Sequence, residues 1–298
     1  MSLKKYSAYI KVVEVGSLTK AGEMLNYTQP NISQMISSLE EECGFPLLIR
    51  QKNGVKPTKN GLVVLHAMRE IQRGYEKLSE TVNQINGLET GKIRIGAYTS
   101  IATNWMPKIL GEFKNLHPFI EIQVYEGNAS ELNHWLEEDQ IDLGIGTSHN
   151  NKWDFQPLVR DPILVIMSQR HELAKLNLIT LEEIESAEFI LPYSDSHFEV
   201  QNIFTQEQIM PKIAYQVRGD ETIISMVKNN LGISILPKLL LSKCTEEIVI
   251  KPLEINVFRE IGILMNIRKN AQTPSVNKMI QFINEWIMKN NYPIETIL

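Results

Sequence analysis

Cysteine is almost absent. The 298-residue chain holds two, Cys43 and Cys244, far apart and outside any CxxC pair. That leaves no disulfide framework and points to reduced thiols in the cytosol. Long apolar runs are missing too. None approaches the roughly 18 residues that read as a membrane span, and no basic-then-apolar leader opens the chain. The expectation is a cytoplasmic protein with no membrane partner. Histidine is sparse: His66, His117, His134, His149, His171 and His197 are scattered without metal-ligand spacing. The segment HELAK at 171–175 lacks the second His of a zinc-protease helix. There is no GxSxG nucleophile elbow. The GIG at 144–146 lacks the rest of a dinucleotide fingerprint, and residues 87–92 are too short for a phosphate-binding loop. These absences leave an enzyme reading without a residue to rest on, and no metal or cofactor is expected.

Charge is of the wrong overall sign for indiscriminate nucleic-acid binding, at −5. Its distribution is uneven. Residues 1–66 hold eight Lys/Arg against five Glu, a balance of +3, and the remainder carries −8. A mildly basic head on an acidic body suits a module that touches phosphate and a body that does not.

The first 60 residues read as helices in quick succession. Ile10, Val13, Leu18, Ala21 and Leu25 fall near helical spacing, and a polar break at Asn26, Tyr27 and Thr28 follows. Thr28 is a natural N-cap and Pro30 suits a first turn. Ile32, Met35, Ile36 and Leu39 then form one apolar stripe at i, i+3, i+4, i+7. The opposite face shows Gln29, Asn31, Ser33, Gln34, Ser37 and Ser38. These are short, uncharged hydrogen-bonding side chains where a merely solvated face would carry Lys and Glu. Gly22 lies where a helix prefers Ala, which either costs about 1 kcal/mol or permits close helix packing. Two short extended runs flank Asn53 and Gly54, the strongest short signal for a tight hairpin. Arg50, Lys52 and Lys56 surround it. A basic hairpin directly after a helix-turn-helix reads as a wing.

From Gly61 the chain reads as one long helix, spanning about 58–86. Val64, Met68, Ile71, Tyr75, Leu78, Val82 and Ile85 repeat at 4-3-4-3-4-3 spacing, a heptad seam that asks for a partner helix. After Gly91 the pattern becomes strand–helix alternation, a parallel α/β unit. A second such series follows Pro162, with strands expected at ILVIMS, EFILPY, KIAYQVRG and GISILP. REIGILMNIR reads as a strand and SVNKMIQFINEWIMK as an amphipathic helix. Two α/β lobes in series imply a cleft.

The stretch from Tyr9 to Gly61 resembles the DNA-binding domain of LysR-type transcriptional regulators throughout. The elements that carry the resemblance are Gly16-Ser17-Leu18-Thr19 with Ala21 and Leu25, Gln29-Pro30 with Ser33, Leu39-Glu40, Pro46-Leu47, Arg50, and Thr58 with Gly61. The remainder is similar to the family in architecture. The resemblance implies an α/β protein with an N-terminal all-α winged helix-turn-helix and a two-lobed, periplasmic-binding-protein-like effector domain. The segments expected are 1–60 for the winged helix-turn-helix and 61–90 for the linker and dimerisation helix. The effector domain is expected over 91–298, with lobe I at 91–161 and 266–298 and lobe II at 162–265.

What it implies about function is a sequence-specific regulator of transcription. Its partners would be double-stranded promoter DNA, a small effector, and further copies of itself. Two heads joined through linker helices read two half-sites, and dimers pair into a tetramer that bends the promoter. RNA polymerase is a partner such a regulator can meet there. Family recognition helices often carry Arg or Lys after the Ser; here Gln34, Ser37 and Ser38 stand in those places, which lowers the phosphate share of binding.

The residues assigned to DNA are Thr28, Gln29, Pro30, Asn31, Ser33, Gln34, Arg50, Lys52 and Lys56. Gln29 and Gln34 can bond an adenine edge bidentately, and the wing lysines suit phosphate. The effector is expected at the carboxyl ends of the strands, where helix N-termini open. The candidates there are Thr99, Ser100, Asn128 and Thr147 from the first lobe. Ser194, Ser196, His197 and Asp220 come from the second. Such a set suits a small polar metabolite, a carboxylate or other anion, although Asp195, Asp220 and Glu221 count against a strongly anionic one. The competing reading is a two-lobed small-molecule binding module whose head contacts protein rather than DNA.

Overall fold

In a computed structural model the chain is described over residues 1–52, 54–148, 152–193, 198–243, 247–266 and 272–290. It divides into two compact units. One is Met1–Lys92 with Glu138–Gln140 and Ala271–Ser275, and the other is Ile93–Glu137, Ile141–Asn270 and Val276–Leu298.

The first unit opens with α1 (Leu3–Val15), α2 (Leu18–Leu25) and α3 (Gln29–Cys43). Each boundary has a local cause. Gly16 ends α1 at φ 65° and returns its N–H to Val12 O. Ser17 Oγ accepts from Lys20 N–H at the start of α2, and Thr28 Oγ1 accepts from Asn31 N–H at the start of α3. Tyr9, Val12, Ala21, Ile32, Leu39 and Leu47 are fully buried in one core. A Cβ on Gly22 would lie 2.7 Å from Tyr27 O in the turn before α3, so the position has room only for glycine.

The wing is β1 (Leu48–Gln51) paired antiparallel with β2 (Gly54–Pro57), Gln51 opposite Gly54; Asn53 lies outside the described residues. Val55 N–H donates to Gly16 O at 2.9 Å, which seats the hairpin on the turn after α1. A Cβ on Gly54 would meet that same oxygen at 2.3 Å, and its φ is 134°, so both space and backbone require glycine.

The helix α4 (Lys59–Ile85) is capped by Thr58, whose Oγ1 accepts from Gly61 N–H at 2.8 Å. Its heptad seam divides. Met68 is buried and Val64 packs beside it in the same core as α1, so these two positions serve this chain's own interior. The reason is that the first turns of α4 lie across α1. From Ile71 onward the seam is open: Ile71, Tyr75, Leu78, Val82 and Ile85 are all exposed, Ile85 at 80%. On another face Arg69 donates to Glu138 O, Arg73 pairs with Asp139 at 3.1 Å, and Glu80 Oε2 accepts from Ser275 N–H and Oγ.

The second unit begins with β3 (Gly91–Tyr98), α5 (Thr99–Asn104), α6 (Met106–Leu116), β4 (Ile120–Gly127), α7 (Ala129–Glu137) and β5 (Leu143–Thr147). Next come β6 (Asp154–Ser168), α8 (Leu181–Ser186), β7 (Glu188–Pro192), α9 (Phe198–Gln206), β8 (Lys212–Val217), α10 (Asp220–Lys228) and β9 (Ser234–Pro237). A 3-10 turn at Lys238–Lys243, β10 (Ile248–Pro252), β11 (Phe258–Met265) and α11 (Pro274–Lys289) complete it. The main sheet runs β10-β6-β11-β5-β3-β4, with β9 also on β6. β7 and β8 pair in parallel, and Phe189 bridges to Ile233.

β3 and β5 pair in parallel, as expected of the first α/β unit, and β11 adds a strand antiparallel to both β5 and β6. Two expectations need correction. The strand expected only after Pro162 is one 15-residue strand from Asp154. Pro162 sits where β6 changes partner, from β11 to β9 and β10, so its missing N–H breaks no ladder. The chain also returns to the first lobe earlier than residue 266, because β11 already pairs with β5. The strand β10 has no counterpart in the sequence reading. Beyond Pro162 both faces of β6 are buried. Ile163, Val165 and Met167 enter one core and Ile166 the other, which is why that run is apolar without alternation.

Candidate nucleic-acid interface and ligand cleft

On α3 the stripe Ile32, Ile36 and Leu39 is buried, and Gln29, Pro30, Asn31, Gln34 and Ser37 are exposed on the other side. Thr28 is exposed and Ser33 half-buried. Ser38 leaves this face, since Lys5 Nζ donates to its Oγ at 2.8 Å and to Glu42 at 2.7 Å. Glu40 fixes the wing against α3: its Oε1 accepts from Leu47 N–H at 2.8 Å and Leu48 N–H at 3.1 Å. Arg50 reaches from β1 to Ser33 Oγ at 3.5 Å. Arg50, Lys52 and Lys56 are exposed. Three cations thus flank an uncharged polar helix face, an arrangement able to contact phosphate at the edge and base edges at the centre.

The second unit holds a small cleft that is open to solvent. Tyr98, Thr99, Ser100 and Asn128 line it from the first lobe, Asp220 and Leu240 from the second, and Arg259 from β11. Four of the expected residues, Thr99, Ser100, Asn128 and Asp220, therefore meet. Thr147 is buried and turned to Tyr98 Oη at 3.2 Å, behind the wall. Burial pushes the Tyr98 phenol up to about 12, so it stays a neutral hydroxyl. Asn128 is also a cap: its Oδ1 accepts from Glu131 N–H at 3.0 Å, and Glu131 Oε2 accepts from its N–H at 2.9 Å. Ser194, Ser196 and His197 lie outside the described residues.

Sequence reasoning missed the centre of this cleft. Arg259 on β11 lies opposite Asp161 on β6. Its Nη2 and Nε contact Asp161 Oδ2 at 2.8 and 2.9 Å. Nη2 also donates to Ser100 Oγ at 2.9 Å, and Leu239 N–H donates to Asp161 Oδ1 at 3.0 Å. Both side chains are buried. Burial raises the Asp161 carboxyl above the usual carboxylate range and the Arg259 guanidinium opposes this. The signal available was a pair of adjacent charges within an apolar strand, Arg160-Asp161 in LVRDPILVI and Arg259-Glu260 in FREIGIL; alternation along a strand turns one of each pair inward, where a charge is tolerated only when paired.

Among the described residues no group of three His, Cys, Asp or Glu could hold a metal ion. No described helix is long and apolar enough to cross a membrane.

Two family profiles match the chain. "Bacterial regulatory helix-turn-helix protein, lysR family" matches residues 3–62, and "LysR substrate binding domain" matches residues 86–287. The chain belongs to the LysR family. It is a transcriptional regulator with a helix-turn-helix DNA-binding domain and an effector-binding domain, and its relatives are regulators rather than enzymes. The uncharacterized HTH-type transcriptional regulator YvbU of Bacillus subtilis is 31% identical over 91% of this chain and 94% of its own length. The HTH-type transcriptional activator CmpR of Synechocystis is 29% identical over 79% of this chain and 78% of its own. Full-length BenM aligns over 98% of this chain and 99% of its own, with 25% identity and a TM-score of 0.61. A full-length OxyR variant of Pseudomonas aeruginosa, 19% identical, reaches a TM-score of 0.76 over 96% of this chain and 94% of its own, a likeness of fold. This LysR-family chain thus has the winged head and the two-lobed α/β body that its sequence predicts.

Proposed function

We propose that the exposed face of α3 reads bases and that the cleft lined by Thr99, Ser100, Asn128 and Asp220 takes the effector. The observation that carries the first part is the pairing of an uncharged, hydrogen-bonding helix face with a wing that brings three exposed cations to its edge. Gln29 and Gln34 contact base edges, Ser33 and Asn31 a base or phosphate, Thr28 and Pro30 set the first turn, and Arg50, Lys52 and Lys56 hold the backbone. Thr147 acts through Tyr98 instead of touching the ligand. The exposed seam Ile71, Tyr75, Leu78, Val82 and Ile85 packs against the α4 of a second copy. Dimers pair further into a tetramer on a bent promoter in the cytoplasm, where RNA polymerase is met. A ligand alters this by preferring one of two arrangements of the lobes.

The test of base reading uses a duplex selected from random sequence by the parent protein. Gln29→Ala is expected to lose roughly 1–3 kcal/mol on that duplex and little on a scrambled one. Equal losses on both would show that Gln29 does not specify sequence.

A further inference from the structure

The face of α4 turned away from the seam is charged and largely buried. At about 100° per residue, Arg69, Arg73 and Glu80 lie within roughly 40° of one another and about 180° from the line through Ile71, Tyr75, Leu78, Val82 and Ile85. Arg69 and Glu80 are 5% and 6% exposed, where a helix surface would leave such side chains in water. Arg69 Nη1 donates to Glu138 O and pairs with Glu138 Oε2 at 3.3 Å. One turn on, Arg73 Nη1 pairs with Asp139 Oδ1 at 3.1 Å, and its Nη2 donates to Asp139 O at 2.8 Å. Further along, Glu80 Oε1 accepts from Lys92 N–H at 3.1 Å. Its Oε2 accepts from Ser275 N–H at 3.1 Å and Ser275 Oγ at 2.8 Å. A Cβ on Gly91 would lie 2.8 Å from Glu80 Cδ and 2.7 Å from Ser275 Cβ, so these segments are packed together. The helix is thus held at two places roughly 16 Å apart along its axis. A rod held at two points has one direction; held at one, it pivots. The segments that hold it lead directly on from α7 and into β3 and α11. The head follows the other end of the helix, because Leu65 and Met68 of α4 are part of its core.

We infer that Arg69, Arg73 and Glu80 are positioning residues for DNA recognition: this clamp fixes the direction of α4 and so sets which distance between two half-sites a dimer accepts. The inference rests on the base-reading head and the α4 dimer proposed above. All three residues act through α4, none of them at a base or at the seam. Moving one half-site by two base pairs shifts it about 7 Å and turns it about 70° around the duplex. A dimer whose helices are fixed cannot then seat both heads, and the gain from linking them is lost. A dimer whose helices pivot can follow the displaced half-site.

The experiment measures binding of the full chain to duplexes derived from the one it selects out of random sequence. In one the two half-sites keep their distance. In others they are moved together or apart by one or two base pairs, and a last duplex holds a single half-site. The parent is expected to lose about tenfold or more in affinity at a two-base-pair change. The variants are Glu80→Ala and the double variant Arg73→Gln/Asp139→Asn, which removes both charges instead of stranding one. Each is expected to lose only about threefold or less at the same change. Each should also bind the single half-site within about twofold of the parent, since the head is untouched, and sediment as the same dimer. Glu80→Gln keeps one acceptor oxygen and should fall between the parent and Glu80→Ala. If either variant, as a folded dimer, keeps the parental preference for spacing, the inference is overturned, while base reading and the dimer stand. A loss equal on every duplex, single half-site included, also overturns it, because the clamp then supports the fold and not the spacing. A parent with no preference for spacing removes the dimeric reading on DNA, and the inference with it. If circular dichroism shows Glu80→Ala unfolded, Glu80→Gln and the double variant decide by the same outcomes.

Discussion

Asp161 and Arg259 show what burial demands of one charged residue pair. Burying either alone would cost several kcal/mol, and together they remain costly unless further hydrogen bonds satisfy them. Ser100 Oγ and Leu239 N–H supply those bonds from the two lobes. Burial raises the Asp161 carboxyl. A carboxyl raised in the folded state contributes fully below its unfolded value, about 3.9, and that contribution is lost as pH rises through the folded value. Arg259 limits the loss, so Arg259→Gln should deepen it. The variant is expected to be roughly 3–5 kcal/mol less stable than the parent near neutral pH, with the deficit shrinking toward acid. Urea unfolding at several pH values measures this, and adding Asp161→Asn should remove the pH dependence. A deficit independent of pH would mean that Arg259 acts by packing alone.

At the scale of elements, α3 and α4 each divide their length between this chain's core and a surface left for something else. On α3 the division follows helical period, with Ile32, Ile36 and Leu39 inward and Gln29 and Gln34 outward. On α4 it follows position along the helix. The seam is covered as far as Met68 and bare from Ile71 to Ile85. Five large apolar side chains at heptad spacing are costly to leave in water, and a facing helix removes that cost. Leu78→Asp places a charge at the middle of the bare stretch. If two copies meet there, sedimentation of the full chain should show a dimer weakened about a hundredfold or more, from several kcal/mol of unpaired buried charge. The variant's helical content should be unchanged, since Leu78 is 61% exposed in the single chain. An unaltered dimer would exclude this seam.

Across the whole molecule the charge is divided unequally, +3 in residues 1–66 within a chain of −5. DNA affinity should therefore depend on salt only through the few cations at the head. Lys52→Ala and Lys56→Ala are each expected to reduce the slope of log affinity against log salt by about 0.9 for every phosphate no longer neutralised. The loss of affinity should be equal on selected and scrambled duplex, the opposite signature to Gln29→Ala. Binding isotherms over a range of sodium chloride check both. A slope unchanged by either substitution would place the wing away from the backbone.

The sequence by itself determined what depends on neighbours along the chain. The cap at Thr28, the apolar stripe of α3, the glycine turn of the wing and the strand–helix alternation are local effects, and each is legible within about ten residues. The tertiary structure alone decided what depends on partners far apart in sequence. Residue spacing could show that Val64 and Met68 belong to a seam, but not that α1 covers them. Pro162 read as a strand boundary because the change of partner from β11 to β9 and β10 is set by segments some 75 to 100 residues further on. The hydroxyls of Thr99 and Ser100 were visible, since a helix opens directly at the end of β3. Arg259 was not, because its role comes from Asp161, 98 residues earlier, and Ser100, 159 residues earlier. A buried charge is defined by the partners that neutralise it, and only the folded chain brings those three together.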